Sequence, residues 1–290
     1  MKQAVADTAY IIFDTETVVD GTLLAKVLYA GEKLGGREAL ARYFEERREV
    51  DPNEKVFVPV AFHVPVAIAI ARVSADFRLL DLSLLDAPRF DPQGMVKLFW
   101  KGVEVYTGAT LVDFNGRGFD LPLLTLSAFR FGISCARYFA DPDRYGFRNR
   151  YTSKHLDLMD WITEFGAFRL KGGLDLLAKM LGKPGKMETR GDQVEELFSQ
   201  GKVQQINDYC LHDVLDTYFV FLRTRVLSGE LRLEDEQKLV AEMRAWLAER
   251  TGPFPGLARY LQDFGEWNPR PFGEGERGDG EPPGPPDAGD

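Results

Sequence analysis

The sequence is poor in the residues that build disulfide scaffolds or bind zinc. It has two cysteines, Cys135 and Cys210, and three histidines among 290 residues. Two cysteines are too few for a disulfide framework, so we interpret both as packed apolar side chains and expect a reduced, cytoplasmic setting. So few histidines argue against a histidine-based nuclease or a zinc hydrolase.

Long apolar runs and a phosphate-binding loop are also missing. The longest purely apolar run, residues 64–71, is too short to cross a bilayer, and the N-terminus shows no cleavage-type signal. We therefore expect no membrane partner. The glycine-rich stretch GEKLGG lacks the GK[ST] of a phosphate loop and indicates a turn.

The chain has no overall excess of positive charge. Its net charge of −9 would ordinarily argue against a nucleic-acid partner, but the charge is unevenly distributed. Residues 265–290 contain 7 Gly and 6 Pro and carry a net −5, a composition that predicts a disordered acidic tail. Residues 130–190 carry a net +5. This is either an ordinary solvated surface or the place where a phosphate backbone would lie.

Strand-like and helical patterns alternate along the chain and predict an α/β fold, with a single domain over residues 1–264. With 44% hydrophobic residues, a chain of this length can bury a full core. Strands are expected at 9–13, 64–73, 77–82 and 109–114, the middle two as a hairpin. Helices are expected at 37–48, 95–101, 119–131, 174–181, 203–227, 234–249 and 255–264. The first of these helices belongs to an insertion at about 20–60, and the last two are expected to be packing elements.

Two acids follow the first expected strand, in the sequence FDTET. Asp14 and Glu16 are two residues apart, and alternation along a strand places both carboxylates on one face. A lone D-x-E carries little information, because acids at strand ends are usually just solvated.

A third acid, Asp120, stands in NGRGFD between a buried strand and a helix. An aspartate at a helix start is commonly an N-cap, and that interpretation is open here. The two glycines of the segment suggest that something approaches the backbone closely.

The fourth acid lies on the long helix expected at 203–227. Asp213 is one turn after Tyr209, so the two share a helix face. The apolar neighbours on this helix predict burial, and a buried aspartate without a partner is costly. Asp216 is displaced around the helix, and we interpret it as a surface charge.

Four carboxylates at the carboxyl ends of sheet strands repel each other and raise one another's pKa values. Divalent cations would relieve that repulsion, and oxygen-only ligands select Mg²⁺ or Mn²⁺ over zinc. Two such ions clamp the attacking and leaving oxygens of a phosphodiester. The phenol of Tyr209 is then placed to orient the attacking water.

Taken together, FDTET, Asn115-x-x-x-Phe119-Asp120 and Tyr209-x-x-x-Asp213 resemble the three motifs of DEDDy exonucleases. These enzymes share a ribonuclease H-like fold, a mixed central sheet flanked by helices, with the proofreading domains of family-B DNA polymerases. The blocks AFHVPVAIAIA, NGRGFDLPLL, HLDLMD, LAKMLGKPGK and DYCLHDVLDTY are similar to a stand-alone family of predicted 3′→5′ exonucleases related to those domains. The resemblance covers roughly residues 9–230.

The resemblance implies a role for each site residue. Asp14 would bridge two metals, with Glu16 and Asp213 completing one site and Asp120 serving the other. The implied substrate-binding residues are Thr17 at the 3′-terminal nucleotide, Asn115 and Phe119 on the single strand, Leu174 beneath the terminal base, and Lys183 or Lys186 at phosphates.

Gly173 replaces the hydroxyl residue that precedes this leucine in the family, which puts one phosphate contact in doubt. Core packing is an equally good interpretation of Phe119.

The three histidines are assigned lesser roles. We interpret His63 as structural, and His155 as a satisfied structural residue or, alternatively, a substrate contact. His212 adjoins Asp213 and is a candidate for a supporting contact at that acid.

The expected activity is removal of 5′-mononucleotides from the 3′ ends of single-stranded DNA, with two Mg²⁺ or Mn²⁺ ions. An RNA-trimming exonuclease is an alternative, because discrimination rests on contacts to the 2′-position that a sequence does not reveal. A catalytically silent nucleic-acid-binding module is a third, which the intact set of acids disfavours. The 77 residues after Asp213 are too few for a polymerase domain.

Overall fold

The computed structural model describes residues 2–50, 56–140, 146–186 and 193–270. Its strands are β1 (Tyr10–Val19), β2 (His63–Val73), β3 (Leu79–Leu84), β4 (Thr110–Asp113) and β5 (His155–Asp157). They form one sheet in the order β3-β2-β1-β4-β5. Strands β1, β2 and β3 pair antiparallel, whereas β4 and β5 run parallel to β1. The carboxyl ends of β1, β4 and β5 therefore meet at one edge of the sheet.

Twelve α-helices lie within the described residues. They are α1 (Lys2–Asp7), α2 (Gly21–Leu28), α3 (Gly36–Val50), α4 (Pro92–Val105), α5 (Asp120–Phe131), α6 (Ala136–Ala140), α7 (Leu158–Ile162), α8 (Gly173–Met180), α9 (Val194–Ser199), α10 (Val203–Leu227), α11 (Leu233–Ala248) and α12 (Gly256–Gln262). A short 3₁₀ helix, Val60–Phe62, precedes β2. In this part of the chain, none of the helices has the length and apolar character needed to cross a membrane.

The sheet separates two apolar layers. On one face, alternate residues of β1 and β2 pack with α10, which is buried on almost every side, and with α8, α11 and α12. On the other face, Ile11 and Phe13 pack with the apolar sides of α4 and α5. The α/β class and the mixed, helix-flanked sheet expected from the sequence are confirmed.

Strand β1 is twice as long as the sequence predicted. We expected a strand at 9–13, but pairing with β2 continues from Tyr10 opposite Val73 to Val19 opposite His63, with a bulge between Glu16 and Thr17. Antiparallel pairing with a distant segment holds these extra residues extended, which no local pattern indicates.

The insertion between β1 and β2 has a small core of its own, formed by apolar residues of α2, α3 and residues 58–62. Asp20 caps α2 by accepting from the backbone N–H of Leu23 at 3.0 Å. Its other carboxylate oxygen pairs with Arg130 of α5 at 2.7 Å. The insertion is thus fastened to the main domain beside β1.

The expected boundary of the acidic tail at residue 265 needs correction. The N–H of Gly265 donates to the Gly182 carbonyl at 2.8 Å, and Trp267 packs against the core with the Arg223 guanidinium 4.3 Å from its ring. Residues 265–267 therefore belong to the packed domain, and residues 271–290 lie outside the described residues.

Candidate active site

The first two acids lie on β1 just beyond its pairing with β4. That pairing ends at Ile12 opposite Val112, while β1 itself continues. Asp14 and Glu16 follow Ile12 on the face that packs against α10. The open edge of β1 at this point leaves room for side chains from other elements.

Asp213 of α10 meets these two acids. Ligand oxygens of Asp14, Glu16 and Asp213 all lie within 4.8 Å of one another. Asp14 and Glu16 are half-buried and Asp213 is buried. Three carboxylates at this spacing form a candidate metal centre made only of oxygen ligands.

The charges of the acids make them hard to ionise together. Burial, and then the charges of Asp120 and Asp213, raise the pKa of Asp14 well above its usual range. Burial and the charges of the same two acids also raise the pKa of Glu16 well above its usual range. The positive charge of Lys186 lowers that pKa and so opposes the shift. Burial raises the pKa of Asp213 to about 6, and Lys186 opposes that shift as well. Positive charge placed near these carboxyls would favour their ionised forms.

Asp120 lies beside the three acids as the first residue of α5. Phe119, and not Asp120, occupies the N-cap position. The carboxylate of Asp120 accepts a 2.5 Å hydrogen bond from the Thr15 hydroxyl. Burial, followed by the charge of Asp113, raises its pKa to about 7. The structure thus aims the carboxylate at β1 and does not use it as a helix cap.

Tyr209 approaches the cluster from α10. It is 5% exposed, and its phenol is hydrogen-bonded to Asp213. Burial and then the charge of Asp213 raise the pKa of the phenol above its usual range. Tyr209 therefore keeps its proton and donates a hydrogen bond to Asp213 at the edge of the carboxylate cluster.

Cys210 also belongs to the site, although the sequence suggested only a packed apolar side chain. Its thiol lies 3.2 Å from the carbonyl oxygen of Asp14 and 3.6 Å from the Asp14 carboxylate. The contact joins residues 196 positions apart. No local signal in the sequence indicates it.

Two buried carboxylates hold the loop that leads to Asp120. Asp157 accepts from the backbone N–H groups of Asn115 and Arg117, at 2.9 and 3.1 Å, and Asp113 accepts from that of Gly116 at 3.1 Å. A Cβ on Gly116 would lie 2.1 Å from Asp113, which explains the glycine there. The close approach suggested by the sequence is thus made by a side chain of the protein itself.

His155 supports the same loop from below and is structural, as the sequence favoured. It is buried, and Nδ1 lies 2.9 Å from the Arg117 guanidinium while Nε2 lies 2.7 Å from Asp113. Since the guanidinium can only donate, Nδ1 accepts from it and Nε2–H donates to Asp113.

A cleft of about 920 Å³ opens over the metal centre. Of the expected substrate-binding residues, Thr17, Phe119 and Lys186 line it. Asn115 lies at the surface nearby with a left-handed backbone, φ 67°. Its side-chain oxygen would be 2.9 Å from a Cβ at residue 118, which accounts for Gly118.

His63 lines the cleft too, which corrects a purely structural interpretation. Its Nε2 lies 3.0 Å from the Val58 carbonyl and its Nδ1 lies 2.8 Å from the Thr17 hydroxyl. Burial lowers the pKa of the imidazole, so the ring is neutral near pH 7. Because the carbonyl can only accept, Nε2 carries the proton and Nδ1 accepts from Thr17.

Like Asn115, two further expected substrate residues do not line the cleft. Lys183 is 5% exposed; it donates to the Gly265 carbonyl at 3.2 Å and lies 3.9 Å from the centre of the Phe264 ring. Burial lowers its pKa to about 8. It supports the C-terminal segment, so Lys186 is the better candidate for phosphate. Leu174 packs against the main core.

Two interpretations of residues on α10 were wrong. Asp216 is 1% exposed and not a surface charge; it accepts from the Tyr260 hydroxyl at 2.7 Å, and burial raises its pKa to about 8. His212 lies 2.9 Å from the Gly256 carbonyl and packs on the Tyr260 ring. Both residues fasten α12 and do not support Asp213.

Comparison with solved structures finds distant resemblances. One is to a family B DNA polymerase from the hyperthermophilic archaeon Pyrobaculum calidifontis, with TM-score 0.48 and 16% identity over 76% of this chain and 24% of that chain. Another is to E. coli ExoI in a zinc-bound complex with single-stranded DNA, with TM-score 0.38 and 13% identity over 79% of this chain and 42% of that one. The chain thus spans less than half the length of either protein. A comparison with curated proteins finds no match.

A family model gives a direct match. It is described as a predicted 3′-5′ exonuclease related to the exonuclease domain of PolB, and it matches residues 55–266. The matched region contains Asp120, Tyr209 and Asp213, while Asp14 and Glu16 precede it. The match spans most of the chain, and the protein belongs to this family of predicted 3′–5′ exonucleases.

Proposed function

We propose that the protein is a metal-dependent exonuclease that removes 5′-mononucleotides from the 3′ ends of single-stranded DNA. One observation carries the proposal: Asp14, Glu16 and Asp213 converge from two elements, Glu16 and Asp213 line a large cleft, and Asp120 lies close enough to act on Asp14. Membership of the exonuclease family supports the reaction class.

The residues present suit two divalent cations. All the donors are carboxylate oxygens, which favour Mg²⁺ or Mn²⁺, and the mutual repulsion that raises their pKa values is one that divalent cations would relieve. The charges of Asp120, Asp213 and Glu16 all act on Asp14, so Asp14 is the acid that would contact both ions if two were bound. Bound ions would supply Lewis acidity at the attacking and leaving oxygens of the phosphodiester.

The remaining groups of the cleft position the substrate. Tyr209 keeps its proton and donates a hydrogen bond to Asp213, so its phenol oxygen can accept from and orient a water but cannot serve as a base at neutral pH. Lys186 acts electrostatically on Glu16 and Asp213 and is exposed in the cleft, where a substrate phosphate would neutralise it.

The polarity of one hydrogen bond supports attack from the 3′ end. Thr17 gives its hydroxyl proton to His63, so its oxygen lone pairs remain for a donor from the substrate. A free 3′-hydroxyl is such a donor. Attack of water at the adjacent phosphorus breaks the bond between that phosphorus and the 3′-oxygen of the next nucleotide. The phosphate therefore stays on the nucleotide that is released.

The experiment uses 5′-labelled single-stranded DNA and RNA of one sequence, with Mg²⁺, Mn²⁺ or a chelator. We expect a ladder shortened from the 3′ end, mononucleotide products, and no reaction in chelator. An end carrying a 3′-phosphate lacks the donor and should react more slowly, and circular strands should survive. Faster digestion of RNA would reassign the substrate.

Variants test the assignment of the acids. Asp14→Ala and Asp120→Ala should abolish hydrolysis, whereas Glu104→Ala, which removes an exposed acid from α4, should not. Near wild-type hydrolysis in either of the first two would refute the proposed metal centre.

A further inference from the structure

Part of the lining of the cleft is apolar, and the insertion supplies it. The side chains of this apolar part are Leu40, Phe44, Val56, Phe57 and Val58, which we call the insertion wall. Phe57 is 60% exposed, although it sits beside the active site. The same cleft is also lined by Glu16, Asp213 and Lys186. An occupant of the cleft therefore meets both apolar and charged side chains.

Two other rings, those of His63 and Phe119, pack against Phe57. Phe57 is stacked on His63, with centroids 5.5 Å apart and planes at 15°, and both rings meet Phe119 edge-on at 5.8 and 5.7 Å. With one face stacked on His63, Phe57 still keeps 60% of its surface exposed, so we infer that its other face is open. A flat, immobilised ring with a free face is what a stacked nucleobase requires.

Hydrogen bonds tie the insertion wall to the strand that carries the acids. His63 bonds to the Val58 carbonyl on one side and to the Thr17 hydroxyl on the other. Thr17 follows Glu16 directly in β1. The distance between the insertion wall and the metal centre is therefore set by the fold.

We propose that the insertion wall is a nucleobase-binding subsite, in which Phe57 stacks on a base at the strand end whose phosphodiester lies at the carboxylates. The proposal rests on the proposed nuclease function. Every base has an aromatic face, so the subsite accepts any sequence. A base in a duplex has both faces covered and must be unstacked first, so the subsite also selects single strands.

The test compares Phe57→Ala with Phe57→Trp and with Phe129→Ala. Phe129 is 87% exposed on α5 and does not line the cleft, so it is a matched control for loss of an exposed phenylalanine. We expect Phe57→Ala to raise KM for single-stranded DNA by about 5- to 150-fold, the range for loss of one base–aromatic stack, with a smaller effect on kcat. Phe57→Trp should restore binding, and Phe129→Ala should match the wild type.

A second substrate distinguishes the loss of a stacked base from a general change in the shape of the cleft. On an oligonucleotide whose two 3′-terminal nucleotides are abasic, wild type and Phe57→Ala should have equal KM values, because no base remains to stack. Melting temperatures of all variants confirm folding, which the exposure of Phe57 favours.

The outcomes separate this inference from the proposed function. If the wild type degrades DNA and Phe57→Ala keeps its KM, the subsite is refuted and the nuclease stands. An equal penalty from Phe57→Ala on normal and abasic ends would also refute it. If the wild type degrades no nucleic acid, the proposed function fails, and fluorescence anisotropy with the same variants and oligonucleotides decides whether the base subsite exists.

Discussion

At the level of single residues, the carboxylate cluster stores unfavourable charge when no cation is bound. Carboxyls whose pKa is higher in the folded than in the unfolded chain stabilise the fold at low pH, and this stabilisation is lost as the pH rises through the folded pKa. The ordinary value is 3.8, and the folded pKa is about 6 for Asp213 and about 7 for Asp120. Stability without metal should therefore decrease between about pH 4 and pH 7.

Asp14→Asn tests this expectation, since Asn keeps the shape and removes one charge. In chelator at pH 8 we expect the variant to melt at least about 2 °C higher than the wild type, the shift for about 1 kcal/mol in a domain of this size. At pH 5 the difference should shrink. Added Mg²⁺ or Mn²⁺ should stabilise the wild type and not the variant.

The matched control is Glu104→Gln, which neutralises an exposed acid on α4. Its melting temperature should follow that of the wild type at every pH. A lower melting temperature for Asp14→Asn at pH 8 in chelator would contradict the idea that repulsion dominates the cluster. Asp216, whose pKa is raised to about 8, is present in all three proteins and cancels in the comparison.

At the level of elements, Asp157 connects β5 and α7 to the loop that carries Asp120. One of its oxygens caps α7 by accepting from the N–H groups of Met159 and Asp160, and also from that of Asn115. The other oxygen accepts from Arg117 N–H. One oxygen of Asp157 thus caps α7 and holds one end of the loop, whereas the other oxygen only holds the loop.

Asp157→Asn should separate these functions. Asn is as good an N-cap as Asp, but its amide group would face the Arg117 N–H, and two donors repel. We expect a loss of about 1–3 kcal/mol in unfolding free energy and a fall of roughly 10- to 100-fold in kcat, because the loop before Asp120 is displaced. Chemical denaturation and single-turnover kinetics measure the two effects.

Asp91→Asn is the control, because Asp91 caps α4 through a 2.7 Å bond to Gly94 N–H and contacts no part of the site. It should change neither stability nor turnover appreciably. Equal turnover in Asp157→Asn and the wild type would mean that the loop is held by its other contacts.

The success of the sequence predictions depended on whether the signal was local. Helix α10 was predicted with its observed bounds, because its apolar positions recur over 25 residues without a break. Helix α9 was missed, since its six residues bury only Val194. Asp216 was misplaced because α10 is buried nearly all around, so position on the helix does not indicate exposure.

The same distinction applies to the site. Asp14, Glu16, Asp120 and Asp213 were selected by spacing within motifs and by the elements expected around them. Their convergence follows from the sheet order, which brings the ends of β1 and β4 together. The parts played by Cys210 and His63 arise from contacts across 196 and 46 positions, and no spacing rule reveals those.

At the level of the whole molecule, the C-terminal segment 265–267 closes one side of the domain. Lys183 donates to Gly265, and the Gly182 backbone, at φ 68°, approaches Glu266 so closely that a Cβ on Gly182 would lie 2.4 Å from the Glu266 carbonyl. Trp267 covers the core beneath Arg223. Residues 271–290, by contrast, have six acids against one arginine and are rich in Gly and Pro.

Two truncations should therefore behave differently. Ending the chain after Arg270 should leave the melting temperature unchanged, because the contacts of 265–267 remain. Ending it after Phe264 should lower the melting temperature by about 4–8 °C, the shift for roughly 2 kcal/mol in a domain of this size. Removing residues 271–290 also deletes five net negative charges, so single-stranded DNA should bind more tightly at low salt.

Trp267→Ala in the full-length chain supplies the control, since it removes the packed ring and keeps every charge. It should reproduce most of the loss in melting temperature and leave DNA binding unchanged. The gain in affinity for single-stranded DNA that follows removal of residues 271–290 should vanish at high salt, where charges separated by more than a Debye length no longer interact. A gain that persists at high salt would mean that residues 271–290 obstruct the cleft sterically. A melting temperature lowered already by the truncation after Arg270 would place further packing contacts beyond that residue.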